Sequence, residues 1–423
     1  MLISLLVIAI AAAGGFAVTY LIDDDAPIMW RVAAGIVIGS TVFGTITFLL
    51  ALIAGLNVAT VLIALVIAAL PIGIFRGDSR RRRLYAEWTL TKSKTQGSSS
   101  AKLFRLAYYV FFFLLFFFFF DRAMLESPAG IYTGGSQNLG DLPFHLGAIL
   151  SFTEVNNFPP QNPSFAGARF SYPFIADLLT AGAVKLGAGI RDAMFIQNVL
   201  WAFSLLVVLE RFVLQLTGNR LASRLAPALL FFSGGLGFIW FLGDYWAQGK
   251  SFFDFVSHLP KDYTISDMFR WGNSMVVLFM TQRSLLLGMP LTLIVLGILW
   301  NEFATEHTER SQKDVTASPR LTVTASNITV GLLAGMLPLI HLHSLAVLFV
   351  VGVFVFVIKP EKWMAWMAFA AGVAVIAIPE LLWSMSGSAN ETTKFFAWHF
   401  GWDKGDKNFL KFWLTNTGLV IPL

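Results

Sequence analysis

The sequence predicts an all-α, polytopic helical membrane protein, and three observations lead to that prediction. Hydrophobic residues make up 56% of the 423 residues and charged residues only 13%, which exceeds the apolar share of ordinary globular domains. Most apolar runs continue over about 18 residues or more, the length that a helix needs to cross a bilayer. A membrane β-barrel would instead show short segments of alternating apolar and polar residues, so the barrel class is excluded.

The apolar runs predict about ten membrane spans. The first, residues 2–20, has no basic residue before it and is followed by three aspartates, so we expect a retained span rather than a cleaved signal peptide. The other predicted spans are residues 29–53, 58–75, 104–120, 193–216, 225–242, 276–300, 328–340, 345–358 and 364–383. Another apolar stretch begins at Asn408 and stops at Leu423, so we expect the natural protein to continue past that residue.

The distribution of arginines predicts the orientation of the chain. Arg76 and the run 80–83 form the strongest basic cluster, which places that loop on the cytoplasmic side by the positive-inside rule. Alternation of the spans then puts residues 121–191 outside. This order requires that residues 174–186, which are too few to cross a bilayer, form an amphipathic helix at the outer surface.

Composition divides the chain into three parts. We predict an N-terminal three-span module at residues 1–90, a flexible cytoplasmic linker at 91–103 that contains the run Gly97-Ser98-Ser99-Ser100, and a transmembrane main body at 104–423. The phenylalanine run at 111–120 is expected to face lipid or to pack between helices.

The residue inventory restricts the chemistry. The chain has no cysteine, which removes disulfides, thiolate metal sites and cysteine nucleophiles together. The formal net charge of +5 arises from basic residues in short loops, which is a topology signal and not the surface of a nucleic-acid-binding protein. Catalytic groups must therefore come from Asp, Glu, His, Arg or Tyr.

The predicted outer loop at 121–191 is too long for a plain connection, and such loops are usually functional. Asp141 and His145 lie four residues apart at the start of an apolar-periodic segment, so one helical face can carry both. Each has a structural alternative: Asp141 as a helix N-cap, and His145 as a packing residue. Glu154 and Arg169 in the same loop are either substrate contacts or solvated charges.

The order of these features resembles the C-type (GT-C) integral-membrane glycosyltransferases. The matching stretch runs from Gly140-Asp141-Leu142-Pro143-Phe144-His145 through Phe170-Ser171-Tyr172-Pro173-Phe174 to Leu186-Gly187. The resemblance covers roughly residues 104–423 and extends to the mannosyl and aminoarabinose transferases that use polyprenyl-phosphate sugars. The sequence departs from the family pattern in having Leu142 after Asp141 and a single proline after Tyr172.

The resemblance implies an inverting transfer of a sugar from a polyprenyl-phosphate donor to a glycan, lipid or protein acceptor on the outer face of the inner or plasma membrane. Asp141 is then the catalytic base, with His145 orienting it or contacting the acceptor. Arg283, near the outer end of a span, is the preferred partner for the leaving phosphate, and its alternative is snorkelling to headgroups. Further substrate-binding candidates are Arg169, Arg270, Tyr172 and Glu154.

His341 and His343 lie at the predicted outer boundary of two short apolar segments. We expect them to line the same cavity as polar groups, because ionisable residues near membrane depth are usually functional. They could share a metal only with other ligands, so no cofactor is predicted, although a divalent metal stays open. The competing functions are a transporter or lipid flippase, and a non-catalytic membrane assembly protein.

Overall fold

The computed structural model describes residues 1–93, 99–263, 273–304, 319–358, 360–386 and 405–418. Within these ranges the regular structure is almost entirely helical, with one two-stranded hairpin, which confirms the predicted all-α class. Eight helices of the described residues are long and apolar enough to cross a membrane, as expected of a multi-pass protein. They are Leu2–Ile22, Ile28–Ala54, Val58–Arg76, Ser100–Ala123, Ile190–Thr217, Arg283–Phe303, Pro338–Ile358 and Pro360–Met385.

The helices are numbered in chain order. They are α1 (Leu2–Ile22), α2 (Ile28–Ala54), α3 (Val58–Ala69), α4 (Asp78–Ser93), α5 (Ser99–Ala123), α6 (Asp141–Glu154), α7 (Ile175–Lys185), α8 (Ile190–Thr217), α9 (Arg220–Phe232), α10 (Gly237–Gln248), α11 (Phe252–Ser257), α12 (Arg283–Leu299), α13 (Pro319–Gly335), α14 (Pro338–Ile358), α15 (Trp363–Met385) and α16 (Phe409–Thr417). Strands β1 (Met124–Ser127) and β2 (Gly130–Thr133) pair antiparallel between α5 and α6.

The prediction of ten spans was too high for the described residues. The predicted span at 225–242 is broken, because α9 and α10 meet at an angle of 72°. The predicted span at 328–340 falls on α13 and on the first residues of α14, with a turn at 336–337 between them. Eight single helices result, or nine if the bent pair counts as one span.

The described residues fall into two compact units. Residues 1–223 and 283–391 form the larger unit, and residues 224–282 and 392–423 form the smaller one. The boundary predicted near residue 90 therefore lies inside the larger unit. Helices from both sides of that boundary pack together there, since α2 contacts α7 and α8. The predicted linker at 91–103 is helical on both sides, because α4 ends at Ser93 and α5 begins at Ser99. Residues 94–98 lie outside the described residues.

The polar connections of the larger unit separate into two sets at opposite ends of its long helices. One set contains the start of α1, the α2–α3 turn and the loop 121–191. Its contacts join Met1 to Asp192, Leu56 to Asn156, Arg191 to Asp121, and Arg169 to Ser386. The other set contains the α1–α2 turn, the arginine-rich α4 and the end of α8. Its contacts join Arg31 to Glu87, Arg83 to Asp24, and Arg211 to Asp23.

Two glycines permit close approach in this unit. Gly55 ends α2 with a φ of +70°, and a Cβ there would lie 2.3 Å from the Asn156 amide nitrogen. Gly39 lets α1 and α2 touch, since its Cβ would lie 2.2 Å from the Ala11 carbonyl oxygen. Small residues of this kind allow membrane helices to pack through backbone contact.

Helix α6 forms where the sequence predicts it, but α7 differs from the prediction. Residues 175–183 of α7 are all buried, so this helix does not lie at a surface. It packs on α2, α6, α8 and α12, and Asp177 is buried with its apolar neighbours. At the other end of α7, the Lys185 ammonium donates to the Thr153 carbonyl oxygen of α6. At the first end of α7, Asp177 contacts His145 of α6, so α6 and α7 have a polar contact at each end.

The phenylalanine run serves both expected purposes. Phe112, Phe116 and Phe120 recur every four residues on α5 and are buried. Phe111 and Phe118 point away and are more than half exposed, at 53% and 60%. Such a division is typical of a helix with one face on protein and the other on lipid.

The smaller unit consists of the bent α9–α10 pair, α11, a π-helical turn at Met275–Phe279 and α16. The Leu236 amide donates to the Thr415 carbonyl oxygen at 2.8 Å, and Asn273 donates to the Phe231 carbonyl oxygen at 3.0 Å. The first is a backbone hydrogen bond and the second is donated by the Asn273 side chain, and together they tie α16 and the π-helical turn to the bend.

The absence of cysteine allows a direct test of the orientation. Glu126 and Arg80 are exposed and belong to the two opposite sets of connections. We expect Glu126→Cys to react with a membrane-impermeant maleimide in intact cells, and Arg80→Cys to react only after permeabilisation. The cysteine-free parent is the control for unspecific labelling. The reverse pattern would show that the loop 121–191 lies in the cytoplasm.

Candidate functional site

Asp141 is the first residue of α6 and follows Gly140, which occupies the cap position. Because Gly140 and not Asp141 occupies the cap position, the N-cap alternative does not describe Asp141. A carboxylate in the first turn still interacts favourably with the helix dipole. The side chain is half-buried, and this burial raises the pKa of the Asp141 carboxyl above its ordinary value. A carboxyl with a raised pKa accepts a proton more readily than an ordinary aspartate.

His145 lies one helical turn after Asp141 and is only 2% exposed. Its Nδ1 lies 2.8 Å from Oδ2 of Asp177, which is 1% exposed. His145 is therefore more than a packing residue, because its ring is both buried and paired with a buried carboxylate. The contact joins α6 to α7.

Arg283, at the start of α12, continues this chain of contacts into the bundle. Its Nη1 donates to the second oxygen of Asp177 at 2.8 Å, and its Nε donates to Asn198 at 3.1 Å. Its Nη2 donates to Thr180 at 2.9 Å and to Gln197 at 2.6 Å. All three nitrogens of the guanidinium group therefore have protein acceptors.

The buried charges of this network balance one another. An isolated charge in an apolar interior is very costly, and a buried pair is tolerated when additional hydrogen bonds satisfy its remaining groups. Asp177 and Arg283 meet that condition through the neutral side chains of α7 and α8. We refer to His145, Asp177 and Arg283 as the buried triad.

Aromatic rings cover the face of α6 that carries Asp141 and His145. The Phe144 ring lies 4.9 Å from the Tyr172 ring and 5.9 Å from the Phe170 ring. Burial raises the pKa of the Tyr172 hydroxyl, with the nearby Asp177 charge acting in the same direction, so the hydroxyl stays protonated at neutral pH. Tyr172 and Phe144 are both half-buried, which leaves part of this aromatic wall accessible.

The other two candidates of the loop, Glu154 and Arg169, lie in different surroundings. Glu154 is exposed at the last residue of α6, about 20 Å along the helix from Asp141 at 1.5 Å per residue. Arg169 is exposed and lies over the Trp383 ring at 4.6 Å, while its Nη1 donates to the Ser386 hydroxyl at 2.6 Å. The next residue, Phe170, belongs to the aromatic wall, so Arg169 lies near the site and Glu154 does not.

The histidine pair of α14 belongs to a second polar group. His341 is 8% exposed, and its Nδ1 lies 2.8 Å from the Ser344 hydroxyl. The His343 ring lies 5.5 Å from the His341 ring, and the His343 side chain is exposed. A Cβ at Gly288 of α12 would lie 2.5 Å from the His341 Cβ, so the pair lies beside the helix that carries Arg283. The described contacts do not connect it to Asp141.

Asp177 is the principal residue that the sequence analysis missed. The sequence could have pointed to Asp177, because this acid interrupts an apolar segment four residues after Pro173. An ionisable side chain in such a segment needs a partner. Gln197 and Asn198 carry a similar signal within the long apolar run of α8. Arg270, the other arginine considered for the leaving phosphate, lies outside the described residues. Among the described residues no three His, Asp or Glu side chains are placed to hold a metal ion.

Comparison with protein-family models, with curated proteins and with solved structures gave no match for this chain.

A double-mutant cycle measures how strongly the buried triad is coupled. Arg283→Gln and Asp177→Asn should each reduce the free energy of unfolding by about 3–5 kcal/mol, because each leaves a buried charge without its partner. The double variant should cost less than the sum of the two by about 0.5–3 kcal/mol.

Reversible unfolding of the purified protein provides the measurement. Asp192→Asn is the matched control, since Asp192 forms an exposed ion pair with the Met1 ammonium whose loss should cost about 1 kcal/mol or less. Strictly additive effects of the two buried substitutions would contradict the coupling.

Proposed function

We propose that the chain is a membrane glycosyltransferase that moves a sugar from a polyprenyl-phosphate donor to a hydroxyl or amino acceptor. Asp141 is the catalytic base, and the transfer inverts the configuration of the sugar. The observation that carries the proposal is the half-buried Asp141, with its raised pKa, one turn from a histidine held by a buried ion pair. Such preorganised ionisable groups are a feature of catalytic sites more than of simple connections.

The proposed reaction needs a base near the acceptor and a surface for the sugar. Asp141 removes the acceptor proton as the nucleophile attacks the anomeric carbon and the bond to the lipid phosphate breaks. Phe144 and Tyr172 supply apolar surface beside it, as in ligand sites that combine aromatic walls with a few polar groups. The Tyr172 hydroxyl, which stays protonated, can donate a hydrogen bond to the sugar.

The departing phosphate needs a cation, and the geometry favours a different arginine from the one the sequence suggested. The Arg283 guanidinium is 2% exposed and directed at protein acceptors, so we assign it to holding Asp177. Arg169 is exposed and ordered over Trp383 next to the aromatic wall. We therefore propose Arg169 as the contact for the leaving phosphate, since Arg suits bidentate binding of phosphate oxygens.

The sidedness of the proposal comes from the two sets of polar connections. The loop that carries Asp141 belongs to the set opposite the arginine-rich α4. If α4 faces the cytoplasm by the positive-inside rule, transfer takes place on the outer face of the inner or plasma membrane.

The direct test is transfer by the full chain reconstituted in lipid and supplied with a panel of polyprenyl-phosphate sugars and acceptors. Asp141→Asn should reduce kcat by about 10²–10⁴-fold, the usual contribution of a general base, while donor binding persists. Asp121→Asn is the matched control, because Asp121 pairs with Arg191 in the same loop and away from Asp141. Equal transfer by wild type and Asp141→Asn would remove Asp141 from the mechanism, and no transfer with any donor would overturn the enzyme class.

The pH profile provides an independent check on Asp141. Transfer requires the ionised carboxylate, so activity should fall as the pH decreases through the pKa of Asp141. Because burial raises that pKa, the acidic limb should lie above the value of about 3.9 for an exposed aspartate. This fall of activity at acidic pH should be absent from the residual activity of Asp141→Asn and present in that of Asp121→Asn. An unchanged limb in Asp141→Asn would assign it to another group.

A transporter or flippase is the second candidate, and one observation favours it. Glu380 of α15 is 6% exposed and accepts a hydrogen bond from the Leu339 amide at 3.1 Å, next to the kink that interrupts α14 at His341. Broken helices with buried acids occur at the substrate sites of secondary transporters. Movement of a lipid-linked sugar across vesicles by both wild type and Asp141→Asn, without transfer, would favour this alternative.

A further inference from the structure

We propose that helices α10 and α11 lie in the plane of the membrane and insert their exposed apolar side chains among the lipids of one leaflet. The partner of this surface is the bilayer itself, at the boundary between headgroups and acyl chains. This contact with lipid is independent of the proposed transfer of a sugar.

Helix α9, which leads into α10, has the surface of a segment that enters a membrane. Its exposed large side chains are Leu225, Leu229 and Phe232, which follow one another at about one helical turn. Its charged residues, Arg220 and Arg224, lie in the first half of the helix. Basic residues at one end and exposed apolar residues along the rest are typical of a helix that starts at the headgroups and points into the bilayer.

The bend after α9 gives α10 a direction close to the membrane plane. Helix α9 has 13 residues and α10 has 12, so their axes are about 20 Å and 18 Å long at 1.5 Å per residue. The first length is about two thirds of the hydrocarbon core of a bilayer, which is ~30 Å thick. With α9 along the bilayer normal, the 72° bend leaves α10 a rise of only about 6 Å over its whole length.

The exposed residues of α10 are those of a helix in contact with lipid. Phe238 and Ile239 are half exposed and Trp246 is 71% exposed, and their spacing places them on one helical face. Apart from Gln248, the last residue of the helix, no exposed residue of α10 has a polar side chain. A helix that lies on a protein surface in water has a polar outer face, so the medium around Trp246 is apolar.

The single charged residue of α10 belongs to the other side of the helix and has protein partners. Asp244 accepts a hydrogen bond from the Tyr263 hydroxyl at 2.7 Å, and its carboxylate lies 2.7 Å from the Lys261 ammonium. These contacts close the segment that contains α11 back onto α10. The polar contacts and the exposed apolar residues of α10 are therefore separated, as in helices that lie at a membrane interface.

Helix α11 extends the apolar surface. Phe255 is fully buried, and its ring lies 5.3 Å from Phe241 and 5.5 Å from Tyr245, which holds α11 on α10. The Phe252 ring lies 6.0 Å from the other end of this contact, Tyr245. The next residue, Phe253, is 84% exposed, the largest exposed fraction of any phenylalanine among the described residues. Lipid would remove this ring from water without any change in the protein.

Two features favour lipid over a protein partner as the occupant of this surface. The exposed apolar residues continue from the stripe on α9, which itself needs lipid around it. Lys250 and Lys261, both exposed, flank α11 in the sequence. Aromatic residues on one face, accompanied by lysines that can pair with headgroup phosphates, are characteristic of interfacial helices.

Because the chain contains no cysteine, single cysteines with a nitroxide spin label can measure depth in the bilayer. The full chain is reconstituted in nanodiscs of phosphatidylcholine and phosphatidylglycerol that hold one chain each. Trp246→Cys and Phe253→Cys are the test variants, and neither removes a buried side chain. Asp254→Cys is the matched control, because Asp254 is the exposed neighbour of Phe253 on α11 and carries a charge.

The labels at 246 and 253 should be relaxed strongly by oxygen, which concentrates in lipid, and weakly by a water-soluble nickel chelate. The label at 254 should show the reverse order. Strong relaxation by nickel at both 246 and 253 would show that the surface faces water and would overturn the proposal. Weak relaxation by both reagents at these positions would show that protein covers the surface, which would overturn it equally.

Discussion

The buried ion pair between Asp177 and Arg283 is the interaction on which the candidate site depends. Neither charge is tolerable alone at that depth, so each requires the other and the amide and hydroxyl groups of α7 and α8. Helices α7, α8 and α12 must therefore meet in one register for the pair to form. His145 brings α6 to the same point, which places Asp141 relative to three other helices.

The sequence predicted the features that depend on hydrophobic length and local pattern. The fold class, most of the long spans and α6 follow from continuous apolar runs and from the spacing of Asp141 and its apolar neighbours. The burial of α7 could not be predicted in this way. Its 11 residues are too few for a span, and a short apolar helix has the same pattern whether lipid or protein covers it.

The partners of charged residues were also beyond the sequence. Arg283 was identified as an unusual arginine, but its acceptors come from residues 85 to 106 positions away along the chain. Local spacing carries no information about such contacts. Positions where an acid or amide interrupts an apolar run, such as Asp177 and Gln197, were the available signal, because each needs a partner that the run itself does not contain.

The two polar contacts between α6 and α7 have a mechanical consequence. The His145–Asp177 contact joins α6 and α7 at one end, and the Lys185–Thr153 contact joins them at the other, so the two helices cannot hinge apart without breaking one of these hydrogen bonds. The connection between them, residues 155–174, carries Arg169 and Tyr172, and it is itself fixed by hydrogen bonds from the Leu56 amide to Asn156 and from the Trp383 ring to the Phe170 carbonyl oxygen. In the proposed glycosyltransferase, Asp141, Arg169 and Tyr172 would therefore keep their relative positions when substrate binds, so that the site would be preorganised and not assembled on binding.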